Sequence, residues 1–376
     1  MTGLSRYRSF YETKILPRLF HTSAMETHQQ ALHLAQRFDH FPTPLHWLQQ
    51  LVTPQNNITV GRVDLPSPFM LAAGFVKGMG FADEQQALDA IEQGINIIPG
   101  WRSVPAITGV VEFGSFTRWP RVGNEGVVLW RDVEYHSLQN RVGLKNPGAR
   151  AAAVFLAMKK NELPKTFGLN IAVSPGVTDP QQEADEVLIS IHQFLDRGIH
   201  PSWFTLNLSC PNTEDDPQGN QTEAKARHLS QVVRQAIGKI PLWVKVSPAL
   251  SEAQYHALMS VFAETGVDAV IATNTLGQPA PDGTTAGVSG GRLFPSALEA
   301  VRTLHQAKKA LNAPVDIVAC GGVLSGAHAA QMLEAGALAI QYWSALIYRG
   351  PLAAAVLQDE LSDHTLRTLT EAEETE

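Results

Sequence analysis

The feature that most limits what this chain can become is an alternation. Eight short apolar runs, rich in β-branched residues, follow one another at 69–75, 95–99, 167–173, 203–209, 242–247, 269–274, 316–321 and 338–344. Most end in Gly, Pro, Asn or Ser. Between them lie stretches with apolar residues at helical spacing, among them 83–93, 148–160, 182–197, 223–237, 252–265, 296–309 and 326–335. A strand that returns to the same sheet through a helix must lie parallel to its predecessor. Eight such units predict a closed (β/α)8 TIM barrel with its working residues at the C-terminal strand ends. An open doubly wound sheet is the competitor, but no GxGxxG follows the first run.

Three segments fall outside this count. Residues 1–55 read as an N-terminal helical extension, with one apolar set (Phe10, Tyr11, Ile15, Leu16, Leu19, Phe20) interrupted by Pro17. Residues 101–147, after the second run, are too long for an ordinary βα loop and suggest a binding loop or lid. Residues 363–376 read as an acidic C-terminal tail, its last six residues, 371–376, frayed. The barrel domain is therefore expected over 56–362. No apolar run approaches the ~18 residues of a membrane span, and no secretory leader is apparent. The formal charge of −7, from 29 basic and 36 acidic residues, argues against a nucleic-acid partner. Two cysteines, Cys210 and Cys320, exclude a disulfide scaffold and suit a reducing compartment such as the cytoplasm.

The chemistry concentrates at the ends of the runs. The fourth ends Asn207-Leu208-Ser209-Cys210-Pro211-Asn212-Thr213. Alternation places Asn207 and Ser209 on one face, and the two amides flanking a thiol suit a planar polar ring with a base beside it. A lone cysteine is ordinarily a small buried hydrophobe; the surrounding amides favour chemistry here. The first run ends at Ala73-Gly74 with Lys77 just beyond, the third at Asn170 and the sixth at Thr273-Asn274-Thr275. The fifth carries Lys245 inside Leu-Trp-Val-Lys-Val, where an ammonium needs an anionic partner or must lose its proton. The seventh and eighth end at Gly321-Gly322 and Tyr342-Trp343-Ser344, where barrels commonly hold a phosphate. Each end alone could be a turn or a cap. Together they describe one mouth lined with amides, hydroxyls, two lysines and a phosphate cradle, suited to a phosphorylated flavin. No His/Asp/Glu set at these ends has metal-ligand spacing.

The ordered motifs Ala-Ala-Gly-Phe-x-Lys, Asn-Arg-x-Gly-Leu, Asn-Leu-Ser-Cys-Pro-Asn-Thr, Val-Lys-Val-x-Pro, Thr-Asn-Thr, Val-Ser-Gly and Gly-Gly-Val-x-Ser-Gly resemble the dihydroorotate dehydrogenases, FMN-containing barrels of pyrimidine biosynthesis, over residues 8–355. The resemblance implies oxidation of dihydroorotate to orotate. It assigns Cys210 as the base that takes the C5 proton while C6 gives a hydride to the flavin. Ala73, Gly74, Lys77, Ser115, Asn170, Asn207, Lys245, Thr273, Gly290, Gly322, Trp343 and Ser344 are implied at the FMN. Lys77, Asn140, Arg141, Val142, Gly143, Leu144, Asn207, Asn212, Asn274 and Thr275 are implied at the substrate.

The chain mixes marks of two classes of that family. Its prefix, with Leu16-Pro17-Arg18-Leu19-Phe20 and His28, resembles the quinone-using, membrane-associated class, in which such a prefix forms the quinone entrance. Arg131 matches an arginine of the quinone tunnel. The expectation is a quinone acceptor and a prefix able to lie on a membrane surface. Cys210 instead matches the soluble class, the other carrying serine. Val76, Ala172-Val173-Ser174-Pro175 and Trp343 also stand where the quinone class has other residues, the first two changes implying lost charge near the flavin. Two further readings remain open: a related flavin enzyme acting on another pyrimidine such as dihydrouracil, and a non-catalytic flavin-binding protein.

Overall fold

The computed structural model describes residues 3–208 and 222–373, with side chains to residue 365. Cys210 and Asn212 lie outside the described residues. Eight parallel strands close into a barrel: β3 (Phe69–Leu71), β4 (Val111–Phe116), β7 (Phe167–Ala172), β8 (Trp203–Asn207), β9 (Leu242–Val246), β10 (Ala269–Ala272), β13 (Asp316–Cys320) and β14 (Ala339–Tyr342). Helices α5 (Glu84–Glu92), α6 (Ser103–Thr108), α7 (Ala149–Met158), α8 (Pro180–Leu195), α9 (Glu223–Ile237), α10 (Glu252–Thr265), α11 (Phe294–Leu311), α12 (Gly326–Glu334) and α14 (Ala353–Glu373) accompany it, with a one-turn helix α13 (Ser344–Tyr348) after the last strand.

The alternation therefore holds, but one strand lies elsewhere than expected. The second barrel strand is Val111–Phe116, not 95–99. Ile97 and Ile98 are fully buried, yet the chain there turns at Asn96 and Gly100 around the Asp39 carboxylate. The true strand puts Glu112 into the barrel interior, and that charge disguised it as loop. The long insertion accordingly begins after Phe116. It contributes β5 (Leu129–Asp132) and β6 (Ser137–Asn140), which join β11 (Leu276–Pro279) and β12 (Thr285–Gly290) in an antiparallel sheet of order β11-β12-β6-β5. That sheet draws the Asn140–Leu144 loop beside the sixth and seventh strand ends.

Side chains alternate across the barrel wall as the pleat requires. Outward residues such as Phe113, Leu169, Val244 and Val270 form one core with the helices. Inward residues form a second, smaller core at the bottom, where Trp203 and Trp243 stack with ring centroids 4.4 Å apart. A hairpin of β1 (Ile58–Val60) and β2 (Val63–Leu65) plugs that end, with the Trp243 indole donating to the Gly61 carbonyl. The functional face is thus the other end.

The prefix is helical: α1 (Gly3–Phe10), a π-helical turn over Tyr11–Ile15, α2 (Leu16–Phe20), α3 (Ala24–Phe38) and α4 (Thr43–Val52). Pro17 sits in the first turn of α2, where proline is tolerated, so the helical path continues through it. A Ser23–Glu26 capping box starts α3. Its far end docks through Asp39, whose carboxylate accepts from Asn96 Nδ2 and from the backbone N–H groups of Gly100, Arg102 and Ser103. At the other terminus, α14 runs through to Glu373, so the acidic tail expected from residue 363 begins as helix.

Candidate functional site

The floor of the site is a polar layer built from inward positions above the tryptophan pair. Glu112 on β4 has no exposed area. Its Oε1 accepts from Asn170 Nδ2 at 2.7 Å; its Oε2 accepts from Thr205 Oγ1 at 2.7 Å, Trp203 Nε1 at 3.0 Å and Gln341 Nε2 at 3.0 Å. Gln341 in turn accepts at Oε1 from Lys245 Nζ, 3.3 Å away, and the same ammonium donates to Cys320 Sγ at 3.5 Å. Lys245 therefore reaches out of an apolar strand to an amide, with a carboxylate one residue further on. Burial raises the Cys320 thiol's pKa, against the opposing pull of Lys245. Glu112, Gln341 and Cys320 stand outside the residues expected at the site; their signature in the sequence is an inward polar residue in an otherwise apolar strand, as at Lys245.

Above the floor a cavity opens among the C-terminal strand ends. Its wall includes Ala73, Gly74, Lys77, Ser115, Asn207, Lys245, Thr273, Asn274, Thr275, Gly290, Gly322, Trp343 and Ser344. Asn207 Nδ2 donates to Ser115 Oγ at 3.1 Å, and Asn274 Nδ2 donates to Asn207 Oδ1 at 3.3 Å, so two amides and a hydroxyl from three strand ends form one chain. The backbone binds the first two ends together: Gly74 N–H donates to Gly114 O, and Gly114 N–H to Val76 O. Asn140, Val142, Gly143 and Leu144 approach from the side, and Asn140 Nδ2 donates to Gly287 O.

Two of the expected residues do not reach the wall. Arg141 is turned away, its guanidinium donating to Glu125 O and standing 3.8 Å from Asp282. Asn170 is fully buried in the floor, its amide nitrogen held by Glu112 and its Oδ1 without a hydrogen-bond partner among the described residues.

At the seventh and eighth strand ends the backbone makes a tight cradle. Gly290 and Gly322 have φ of +83° and +72°, and a Cβ on either would lie 2.3 Å from His136 O or 2.5 Å from Gly290 O. Only glycine fits there. Ser344 Oγ bonds Ser289 Oγ at 3.0 Å beside them.

The cavity continues toward the prefix, where Ala24, Thr27, His28 and Arg131 join the wall. Arg131 donates to Thr22 O, Ser23 O and Thr27 Oγ1 at 2.5–3.0 Å and lies over the Phe20 ring. It pins the prefix to the β5–β6 hairpin. His28 meets Phe75 edge-on, and Phe75 meets Trp343, giving an aromatic path from prefix to barrel mouth. Burial, with Lys77 and Lys145 nearby, holds the His28 pKa down at about 4. No group of three or more His, Cys, Asp or Glu that could hold a metal occurs among the described residues.

Comparison with known proteins adds four findings. The family model described as Dihydroorotate dehydrogenase matches residues 56–365. The dihydroorotate dehydrogenase (quinone) of Neisseria gonorrhoeae is 32% identical over 303 residues, 77% of this chain and 82% of the relative. That of Methylococcus capsulatus is 31% identical over 373 residues, 92% of this chain and 97% of the relative. Among solved structures, the DHODH of Eimeria tenella in complex with ferulenol superposes with a TM-score of 0.76 at 22% identity, covering 96% of both chains, a likeness of fold.

Proposed function

The chain belongs to the dihydroorotate dehydrogenase family, and from that premise we propose how its cavity works. The protein oxidises dihydroorotate to orotate and uses a quinone as acceptor, as its relatives' names state of them. The observation that carries this reading is the convergence, in one cavity, of Lys77, Lys245 and the amides of Asn140, Asn207 and Asn274.

The residues fit FMN as the resident flavin. Gly290 and Gly322 line the cavity where the backbone closes too tightly for any side chain, and Ser344 opens a helix beside them. The amide chain and the Lys245 ammonium suit the polar edge of a planar ring, and the buried Asn170 Oδ1 offers an acceptor with nothing to accept. Bound FMN supplies the acceptor for the hydride that leaves C6 of the substrate.

The chain's own residues do the rest. Lys77 attracts the substrate carboxylate, and Asn140, Asn207, Asn274 and Thr275 orient its ring. Cys210, the position matching the family's base, takes the C5 proton. Lys245 holds a fixed positive charge at the cavity floor, where charge preorganised in a water-poor site is most effective. The aromatic path through Trp343, Phe75 and His28 is the quinone side, with Arg131 fastening it.

The prefix also presents an apolar surface: Phe41, Trp47 and Leu51 are 73%, 66% and 84% exposed. No helix of the described residues is long and apolar enough to cross a membrane. We read this surface as lying on the bilayer that holds the quinone, a peripheral mode of attachment.

The visible spectrum of purified protein tests the reading, recorded before and after anaerobic dihydroorotate. A flavin spectrum that bleaches is the expected result. Oxidised flavin that persists would redirect the search to another dihydropyrimidine, and colourless protein that cannot be reconstituted with FMN would overturn the cofactor.

A further inference from the structure

Resting on the reading that FMN occupies the cavity, we propose that Glu112 and Gln341 are positioning residues that hold the Lys245 ammonium at the flavin. A carboxylate without exposed area is costly unless its oxygens are satisfied. Here four donors from β7, β8 and β14 converge on it, and among the described residues no cation pairs with it directly. The cation on this network is Lys245, reached through one side-chain amide.

That amide is the informative element. Gln341 presents Nε2 to Glu112 at 3.0 Å and Oε1 to Lys245 at 3.3 Å. An amide has one donating and one accepting end. Turning it over would set its NH2 group against an ammonium and its oxygen against a carboxylate, two repulsions in a low-dielectric interior. The two charges therefore lock Gln341 in one orientation, and the locked amide gives the ammonium a fixed acceptor. Glu112 does the same to Asn170: with Nδ2 committed to the carboxylate, Oδ1 must face the other way. One buried charge thus sets the polarity of two amides in the floor, and a neutral residue at 112 would leave both free to turn.

The alternative is that Glu112 only ties strands together. The two roles separate in the flavin's two-electron midpoint potential, measured by anaerobic titration of the holoenzyme beside its melting temperature. Glu112→Gln removes the charge with little change of shape. Gln341→Leu cuts the relay while leaving the Glu112 charge in place, and it carries the test if the first variant does not fold. The proposal expects both to lower the potential, because the ammonium that favours reduced flavin loses its anchor. The expected size is at least a tenfold weaker preference for reduced flavin, about 30 mV for a two-electron couple. It also expects Glu112→Gln to add nothing in a Lys245→Met background, the non-additivity of groups acting in series.

A direct field effect has the opposite sign, since deleting a nearby negative charge raises the potential. A rise in Glu112→Gln, an unchanged potential with a lowered melting temperature, or a shift that persists without Lys245 would each overturn the relay. Wild-type protein that takes up no flavin would instead overturn the reading beneath it, so the two failures are distinguishable.

Discussion

Asp39 joins the prefix to the barrel, and replacing it by alanine is the sharpest test of how that joint is made. The carboxylate is 5% exposed. It accepts from Asn96 Nδ2 and Gly100 N–H at 2.8 Å each, Ser103 N–H at 2.8 Å and Arg102 N–H at 3.2 Å. The last two open α6, which has no capping side chain of its own; Asp39 caps it from another element. Hydrogen bonds to a charged group each contribute about 1.5–3 kcal/mol, and orphaned buried donors cost about 1–3 kcal/mol. Water entering the vacated space satisfies some of the N–H groups, so the terms do not sum. Asp39→Ala should cost about 3–5 kcal/mol, near the upper end for one substitution. Asp39→Asn should cost about half as much, since its carbonyl serves one pair of donors while its NH2 opposes the other. Urea unfolding with an unchanged slope would measure both. The same loosening should reduce quinone turnover more than turnover with a water-soluble acceptor. An alanine variant within about 1 kcal/mol of wild type, or equal loss with both acceptors, would refute the reasoning.

Cys210→Ala should retain the flavin spectrum and lose about 10²–10⁴-fold in dihydroorotate turnover, the usual contribution of a positioned base; single-turnover bleaching at the wild-type rate would end its assignment. His28 should make stability fall with acid. Its folded pKa of about 4 lies below the ordinary 6.5, so the unfolded chain binds the extra proton between those values. The contribution is intact above pH 6.5 and is lost progressively toward pH 4, by about 3 kcal/mol at most. His28→Gln should flatten unfolding curves over that window, and an unflattened profile would put the acid sensitivity elsewhere. Gly168→Ala should overpack the floor, because its Cβ would stand 2.2–2.5 Å from three atoms of the Trp203 ring. The expected loss is about 1–3 kcal/mol with a lower melting temperature; an unchanged melt would mean that Trp203 yields freely.

The sequence announced the barrel because parallel strands buried on both faces read as apolar runs, and seven of the eight runs, from 69–75 to 338–344, overlap barrel strands in chain order. The exception shows the limit of that signal. Residues 95–99 are apolar because they are buried in a turn, whereas Val111–Phe116 carries a charge into the interior. Periodicity cannot tell a polar residue facing solvent from one facing the floor of a site. The four-stranded antiparallel sheet is hidden for a related reason: β5 is half-buried throughout and β11 alternates only between half-buried and exposed, so neither presents a buried apolar face. The site was more legible than its support. Lys77, Asn207, Lys245 and Thr273 were visible as strand-end residues, but the partner of Lys245 lay on β14 and that partner's partner on β4. Only closure of the barrel brings those strands together.

The same closure settles where the departures from the quinone-using class act. The resemblance implied that Val76 and 172–175 remove charge beside the flavin. Val76 has no exposed area and packs outward into the helix-facing core, and Ala172 is buried within the barrel wall. Neither is among the residues lining the cavity. An apolar side chain at 76 therefore suits its surroundings, where an unpaired carboxylate would be costly. The cavity's electrostatics rest on what does face it. Arg131 has its guanidinium turned to the Thr22 and Ser23 carbonyls, and His28 is held neutral above pH 4. That leaves Lys77 near the mouth and Lys245 at the floor as the cations in the described wall. On the proposed function, the two separated positive charges answer two separated needs: a carboxylate to be captured at one level and a ring to be charged at another. A net charge of −7 over the whole chain does not oppose this, because fields inside a narrow low-dielectric cavity are set by the nearest groups.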